Sequence, residues 1–316
     1  MIGAAQRRFN RRRTVKIEIV SEPARLLSAA DIRVLADKAG IRPTKTLGQN
    51  FVIDPNTIRR IVENARVGAD EHVLEVGPGL GSLTLGLIDA SAEVTAVEID
   101  SALAGQLEET VVNFRPQRTE DLHLIHADAM DVTAEQIRHV AGSLPTALVA
   151  NLPYNVAVPV LLHLLAEIDT LDHALVMVQE EVADRLAAEP GSKIYGVPSV
   201  KANWYGKLTK AGVIGMKVFW PEPKITSGLV HFQRHDQHQA ARIQQGADRD
   251  LTFRLIDAAF AQRRKTLRAA LGKVLGSPAQ AEQLLQQAGI DHTLRGERLT
   301  ISDFAALAVC AAEAGI

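Results

Sequence analysis

Glu75-Val-Gly-Pro-Gly-Leu-Gly81 decides the fold. It overlaps the end of an apolar run of strand character, His72 to Val76, and leads into a segment of helical spacing, so its glycines sit at a strand-to-helix turn. Such a turn lets a ligand approach the backbone closely, because Cβ atoms would block it and some positions need positive φ. The spacing is Gly-x-Gly-x-Gly, unlike the Gly-x-Gly-x-x-Gly of dinucleotide sites, and Pro78 stiffens the turn without offering an amide to a phosphate. Outward from this turn, strand and helix patterns alternate. Strands are expected at Glu93 to Ile99, Leu122 to Ala127, Thr146 to Ala150 and Ala174 to Val178, with helices at Ala102 to Asn113, Thr133 to Val140 and Val158 to Ile168 between them. Repeated βα units predict an α/β fold with a doubly wound, mostly parallel, Rossmann-like sheet.

Ahead of the sheet, Ile32 to Ala39 and Asn56 to Ala65 have helical spacing; after it, Val200 to Tyr205 and Gly228 to Gln233 read as further strands. Arg234 to Asp250 is polar and reads as a linker. Beyond it, Leu251 to Leu275, Ala279 to Ala288 and Ser302 to Ala314 form a small helical bundle, broken at Gly276-Ser277-Pro278 and Gly289. The expected organisation is a basic, flexible arm over residues 1–35, a cofactor-binding α/β domain over 36–234 and a helical docking domain over 235–316.

The 316 residues are 47% apolar and 23% charged, which is ordinarily globular. The formal charge of −2 hides an asymmetry: residues 1–25 carry seven Lys/Arg against two acids and residues 234–316 eleven against nine, leaving the core between them at −9. Polyanion binding is therefore expected at the ends and in local patches. The longest apolar stretch, Val156 to Ala166, is too short to span a bilayer and contains Pro159 and His163, so no membrane partner is expected. The first twenty residues lack the apolar core of a secretion signal, and the single cysteine, Cys310, makes an internal disulfide impossible; a cytoplasmic location is expected.

Two carboxylates extend the reading of the turn. Glu98 closes the second strand, where a carboxylate accepts both ribose hydroxyls of a nucleoside, and Asp128 closes the third, within reach of an adenine amino group. With a turn unsuited to pyrophosphate, the set favours S-adenosylmethionine (SAM). A second motif, Asn151-Leu-Pro-Tyr154, ends the fourth strand. An exocyclic aromatic amine is a poor nucleophile because its lone pair is delocalised into the ring. The Asn151 side-chain carbonyl and the backbone carbonyl of Leu152 or Pro153 are suited to accept its N–H groups, and Tyr154 offers a face for a base taken out of its stack. Positioning supplies most of such a reaction, since the attacked nitrogen becomes cationic and loses its proton easily.

These segments resemble the bacterial small-subunit ribosomal RNA adenine dimethyltransferase family, and the resemblance runs from about Thr44 to Ile301. It is carried by Leu47-Gly48-Gln49-Asn50-Phe51, Glu75 to Gly81, Val97-Glu98-Ile99-Asp100, Asp128-Ala129, Asn151 to Tyr154, Phe219 to Ser227, and Ala259-Phe260-Ala261-Gln262-Arg263-Arg264-Lys265-Thr266-Leu267-Arg268. The resemblance implies SAM contacts at Asn50, Val52, Gly77, Glu98, Asp128 and Asn151. It also implies that Asn151, Pro153 and Tyr154 hold the target adenine, with Phe219 as the second face of an aromatic clamp. The family often has a third proline where this chain has Glu222, and an Asp where it has Thr226.

Residues 262–268 are expected on the first helix of the small domain, with Arg264 and Arg268 sharing a face at i, i+4 spacing and Arg263 and Lys265 beside them, a cationic surface for RNA phosphates. His231, His235 and His238 leave a strand into a polar linker without Cys or a carboxylate pair, so no metal is expected. The implied activity is SAM-dependent dimethylation of the exocyclic amine of two adjacent adenosines near the 3′ end of small-subunit ribosomal RNA. The expected partner is the small ribosomal subunit, and the chain is expected to be a monomer. Two alternatives stand beside this: the related large-subunit RNA adenine methyltransferase of antibiotic resistance, and a ribosome-assembly checkpoint with secondary catalysis.

Overall fold

The computed structural model describes residues 24–41 and 50–316. The chain runs α1 (Ala29–Lys38), β1 (Phe51–Val52), α2 (Pro55–Ala65), β2 (His72–Val76), α3 (Ser82–Ala90), β3 (Glu93–Glu98), α4 (Ser101–Phe114), β4 (Leu122–His126), α5 (Ala134–Ala141), β5 (Ala147–Asn151), α6 (Ala157–Glu167), β6 (His173–Gln179) and α7 (Glu180–Leu186). It continues through α8 (Val197–Ala202), β7 (Gly206–Ile214), β8 (Phe219–Trp220), β9 (Ser227–Arg234), α9 (Gln237–Gln244), α10 (Arg249–Ala261), α11 (Leu267–Leu271), α12 (Pro278–Gln287) and α13 (Ile301–Glu313). Seven strands form one sheet in the order β4-β3-β2-β5-β6-β9-β7; β1 and β8 pair apart from it. The five strands from β4 to β6 are parallel, while β9 and β7 add on antiparallel.

Local chemistry sets the helix starts. Ser28 and Asp31 make a reciprocal capping box at α1, Asp54 caps α2 ahead of Pro55, Asp100 caps α4, and Thr300 with Asp303 caps α13. The central strands are buried on both faces; all five residues of β2 are buried, which is why they read as continuous apolar runs. Two apolar layers flank the sheet. One packs α1, α2 and α3 against Val73, Val149 and Leu175; the other runs from α6 and α8 into α10, α12 and α13 without a break. The helical segment therefore shares its core with the α/β body.

Several elements depart from expectation. Val200 to Tyr205 is not a strand: α8 covers Val197–Ala202, and Val197, Val200 and Trp204 reach the core at i, i+3, i+7 spacing, with Pro198 in the first turn. The real edge strand, β7, starts at Gly206. The polar stretch 234–250 contains α9, capped by Asp236 and Gln239. The long helix expected over Leu251 to Leu275 breaks after Ala261, because the Leu267 N–H donates to the Leu294 carbonyl (2.7 Å) and the Arg268 N–H to that of His292 (3.2 Å), drawing the chain into a new start at α11. At the other end, the boundary drawn at residue 35 falls inside α1. Leu26, Leu27 and Ile32 are buried, and buried Arg115 bonds both Asp89 and the Arg25 carbonyl (3.1 Å), fastening this segment to the body. The rest of the expected arm, residues 1–23, lies outside the described residues.

Candidate active site

The strand order reverses between β2 and β5, and ligands of open α/β sheets bind outside the carboxyl ends of strands at such a point. Both motifs meet there. A Cβ added to Gly77 would lie 3.7 Å from the Asn151 carbonyl oxygen and 3.9 Å from the Pro153 ring. Gly77 and Gly79 adopt φ of +68° and +58°, and a Cβ on Gly79 would come within 2.9 Å of the Phe51 ring. The turn is thus folded tightly under the small β1–β8 ribbon, in which Phe51 pairs with Trp220 and Val52 with Phe219. Between turn, ribbon and the Asn151 segment lies a cavity of about 380 Å³, lined among others by Asn50, Val52, Gly77, Glu98, Asn151, Pro153 and Tyr154. Leu47, Gly48 and Gln49 lie outside the described residues.

The cavity is acidic. Glu98 accepts the backbone N–H groups of Asp100 (3.0 Å) and Gly79 (3.2 Å), and burial pushes its carboxyl up, against those two bonds. Glu75, at the end of β2, is buried; burial pushes its carboxyl up to about 8, and its Oε2 lacks a hydrogen-bond partner among the described residues. The sequence reading quoted Glu75 within the glycine motif but gave it no role; the signal available was a carboxylate between Leu74 and Val76 in a strand buried throughout. A glutamate among the lining residues, a second carboxylate at the end of the next strand and a turn open to close approach fit a cationic nucleoside such as SAM. Asp128 does not line the cavity: it is exposed just beyond β4, where its Oδ1 accepts the Met130 N–H (2.9 Å).

Asn151 to Tyr154 is held from three sides. The Leu152 N–H donates to the Met177 carbonyl (3.0 Å), Asn151 Nδ2 to the Asn50 carbonyl (3.3 Å), and Tyr154 Oη lies 2.8 Å from Ser227 Oγ on β9. These bonds leave Asn151 Oδ1 and the Leu152 carbonyl without partners among the described residues, whereas the Pro153 carbonyl accepts the Val156 N–H (3.1 Å). Burial pushes the Tyr154 hydroxyl up, so it is neutral near pH 7. Phe219 is not at the cavity wall. It is 3% exposed in the layer beneath the ribbon, and the half-buried ring beside it, Trp220, packs 6.3 Å from Phe51.

Residues 262–266 form a turn, which corrects the expected helical face. Arg263 pairs with Glu297 (2.9 Å) and donates to the Lys193 carbonyl, and Arg268 pairs with Glu282 (2.6 Å). Arg264 and Lys265 are exposed without an ion pair among the described residues. The histidines named as possible metal ligands part company: His231 lines a groove further along β9 from the cavity, and His235 bonds the Asn203 carbonyl (3.0 Å). No helix among the described residues is long and apolar enough to cross a membrane.

The chain is similar to several known proteins. "Ribosomal RNA small subunit methyltransferase A" of Paenarthrobacter aurescens (strain TC1) is 62% identical over 291 residues, 91% of this chain and 96% of its own. The protein of the same name from Streptomyces coelicolor is 56% identical over 286 residues, 90% of this chain and 97% of its own. Among solved structures, a dimethyladenosine transferase from Plasmodium falciparum covers 83% of this chain and 98% of its own at TM-score 0.69 and 21% identity, which shows a shared fold. The 23S rRNA methyltransferase ErmE covers 83% and 99% at TM-score 0.59 and 23% identity. The family model described as ribosomal RNA adenine dimethylase matches residues 41–313, a span that takes in the cavity, the Asn151 segment and the helical segment together, and the chain belongs to that family.

Proposed function

We propose that the chain transfers methyl groups from SAM to the exocyclic amine of adenosines in small-subunit ribosomal RNA, two to each nitrogen, and that it acts in the cytoplasm on the maturing subunit. The observation that carries the reading is the contact of Gly77 with the Asn151 backbone, which puts a nucleoside cradle and an amine-accepting segment on one cavity. SAM, when bound, supplies an activated methyl on a sulfonium.

The chain's own residues do the rest. Glu98 takes the ribose hydroxyls, Asn50, Val52 and Gly77 line the cofactor's bed, and Glu75 gives its cationic end a carboxyl partner. Asn151 Oδ1 and the Leu152 carbonyl accept the two N–H groups of the adenine amine, turning its lone pair toward the cavity. Pro153 keeps that backbone rigid, and Tyr154 stacks on the base. As the amine takes the methyl it becomes cationic and sheds a proton to water, so no strong base is required, and the neutral Tyr154 hydroxyl fits a positioning role. By the family resemblance Asp128 would contact the adenine of SAM and Phe219 would be the second clamp face, although neither lines the cavity.

The test is transfer of labelled methyl from SAM to undermethylated small subunits and, separately, to large subunits, followed by nucleoside analysis. Dimethyladenosine in small-subunit RNA alone is expected. Label in large-subunit RNA alone would overturn the choice of substrate, and SAM binding without transfer to either would favour an assembly role. In the same assay Asn151→Ala is expected to lower transfer on the order of 100-fold, the scale of removing one positioned hydrogen-bonding group from an active site.

A further inference from the structure

On the face of the sheet that carries α2, beyond the end of that helix, lies a groove of about 620 Å³ far from the cofactor turn. The strand register builds it in rows. His173 of β6, Gln233 of β9 and Lys207 of β7 stand side by side, and His231 and Thr209 form the next row toward the active site. Arg66, the residue that ends α2, lines the groove from above.

The charges in this groove are unbalanced. His173 is paired with Glu71 (3.1 Å) and Lys210 with Asp184, while a third carboxylate, Asp172, accepts from the Gln233 side chain (3.1 Å). Arg66 and Lys207 are exposed and have neither an ion pair nor a side-chain hydrogen bond among the described residues. Burial lowers the His231 pKa first, and the Arg66 charge lowers it further, against a backbone hydrogen bond with Ala174. Arg66 also holds φ of +56°, a conformation that favours glycine.

The groove is tied to the catalytic end by one strand. Side chains alternate along β9, so Ser227, which touches Tyr154, shares a face with His231 and Gln233. At about 3.3 Å per residue, these lie roughly 13 and 20 Å along the strand from Ser227. We infer that this groove binds the phosphate backbone of the RNA whose adenosine occupies the active site, as a second electrostatic anchor on the α/β body. The inference rests on the proposed RNA methyltransferase function and names a surface of the substrate that the cavity does not touch.

The test compares wild type with the double variant Arg66→Glu/Lys207→Glu in equilibrium binding to undermethylated small subunits across a salt series, alongside steady-state methyl transfer. Each phosphate contact contributes roughly 0.7–0.9 to the slope of log affinity against log salt, so loss of two is expected to flatten the slope by about 1.5. KM for the subunit is expected to rise about tenfold or more, while kcat at saturation and SAM affinity hold. Arg138→Glu, on α5 at the opposite edge of the sheet, is expected to leave the slope unchanged. Arg66→Gly/Lys207→Gln removes both charges while relieving the backbone at residue 66, so it reports on the groove even if the double reversal fails to fold. Wild-type slope and KM in that neutral variant would overturn the groove alone. Absence of RNA binding and transfer in wild type would overturn the proposed function and the groove with it.

Discussion

Tyr154 Oη lies 2.8 Å from Ser227 Oγ, joining the loop after β5 to the antiparallel strand β9. Ser227 is fully buried, so this bond fixes the tyrosine ring from a rigid part of the sheet rather than from another loop. Tyr154→Phe keeps the ring and loses only the bond. It is expected to reduce transfer about tenfold at most, in line with a net contribution of roughly 0.5–1.5 kcal/mol for one hydrogen bond. Tyr154→Ala removes the stacking face and is expected to reduce transfer far more. A Phe variant as inactive as the Ala variant would place the hydroxyl in the chemistry and contradict the positioning role.

Glu75 makes stability depend on pH in a direction opposite to most carboxylates. Its carboxyl is pushed up to about 8 in the folded chain by burial, with Glu98 adding to the rise, against an ordinary value of 4.5. The folded state therefore holds a proton that the unfolded state has released, and stability from this group falls as pH rises from about 4.5 through about 8. At about 1.4 kcal/mol per pKa unit the full loss is at most on the order of 5 kcal/mol. Glu75→Gln is expected to flatten the decline in melting temperature of the cofactor-free protein between pH 6 and 9 and to weaken SAM binding. Parallel pH profiles for the two proteins would show that Glu75 is ionised throughout.

Gly79 supports both the turn and the ribbon above it. Gly79→Ala forces φ of +58° on a residue with a Cβ and sets that Cβ 2.9 Å from the Phe51 ring. The backbone penalty is roughly 1–2 kcal/mol, and displacement of Phe51 opens the β1–β8 ribbon over the cavity. A lower melting temperature and at least tenfold weaker SAM binding are expected. Gly142→Ala is the control: its φ is +78°, but its Cβ would meet nothing within 4 Å, so only stability should change. Equal loss of SAM affinity in both variants would remove the ribbon from the explanation.

The legible parts of the sequence were those whose environment is uniform. β2, β3, β5 and β6 are buried on both faces and read as apolar runs, and the two motifs sit at their ends. β7 was missed because Lys207, Thr209 and Lys210 are exposed on an edge strand. α9 was read as linker because none of its residues is fully buried. The break after Ala261 comes from backbone bonds to Leu294 and His292, partners that no local pattern reveals. In the site, Asn50 and Val52 enter through a two-residue strand whose partner, β8, lies far along the chain, so only family resemblance pointed to them. The same distance explains Phe219: its segment could be recognised, but its burial under the ribbon depends on pairing with Val52.

The basic segment that looked like one helical face separates into two kinds of residue. Arg263 holds Glu297 and the Lys193 carbonyl, and Arg268 holds Glu282, so these two brace α11 and the loops around it. Arg264 and Lys265 project from the turn without such partners. Arg264→Glu and Lys265→Glu are therefore expected to weaken binding to ribosomal RNA, each flattening the salt dependence by roughly 0.7–0.9, while leaving the melting temperature unchanged. Arg263→Ala and Arg268→Ala are expected to lower the melting temperature by the equivalent of about 1 kcal/mol or less, as exposed ion pairs do, with a smaller effect on the salt slope. If all four variants flattened the slope alike and none moved the melting temperature, Arg263 and Arg268 would have to leave their carboxylate partners when RNA binds, and the bracing role would fall.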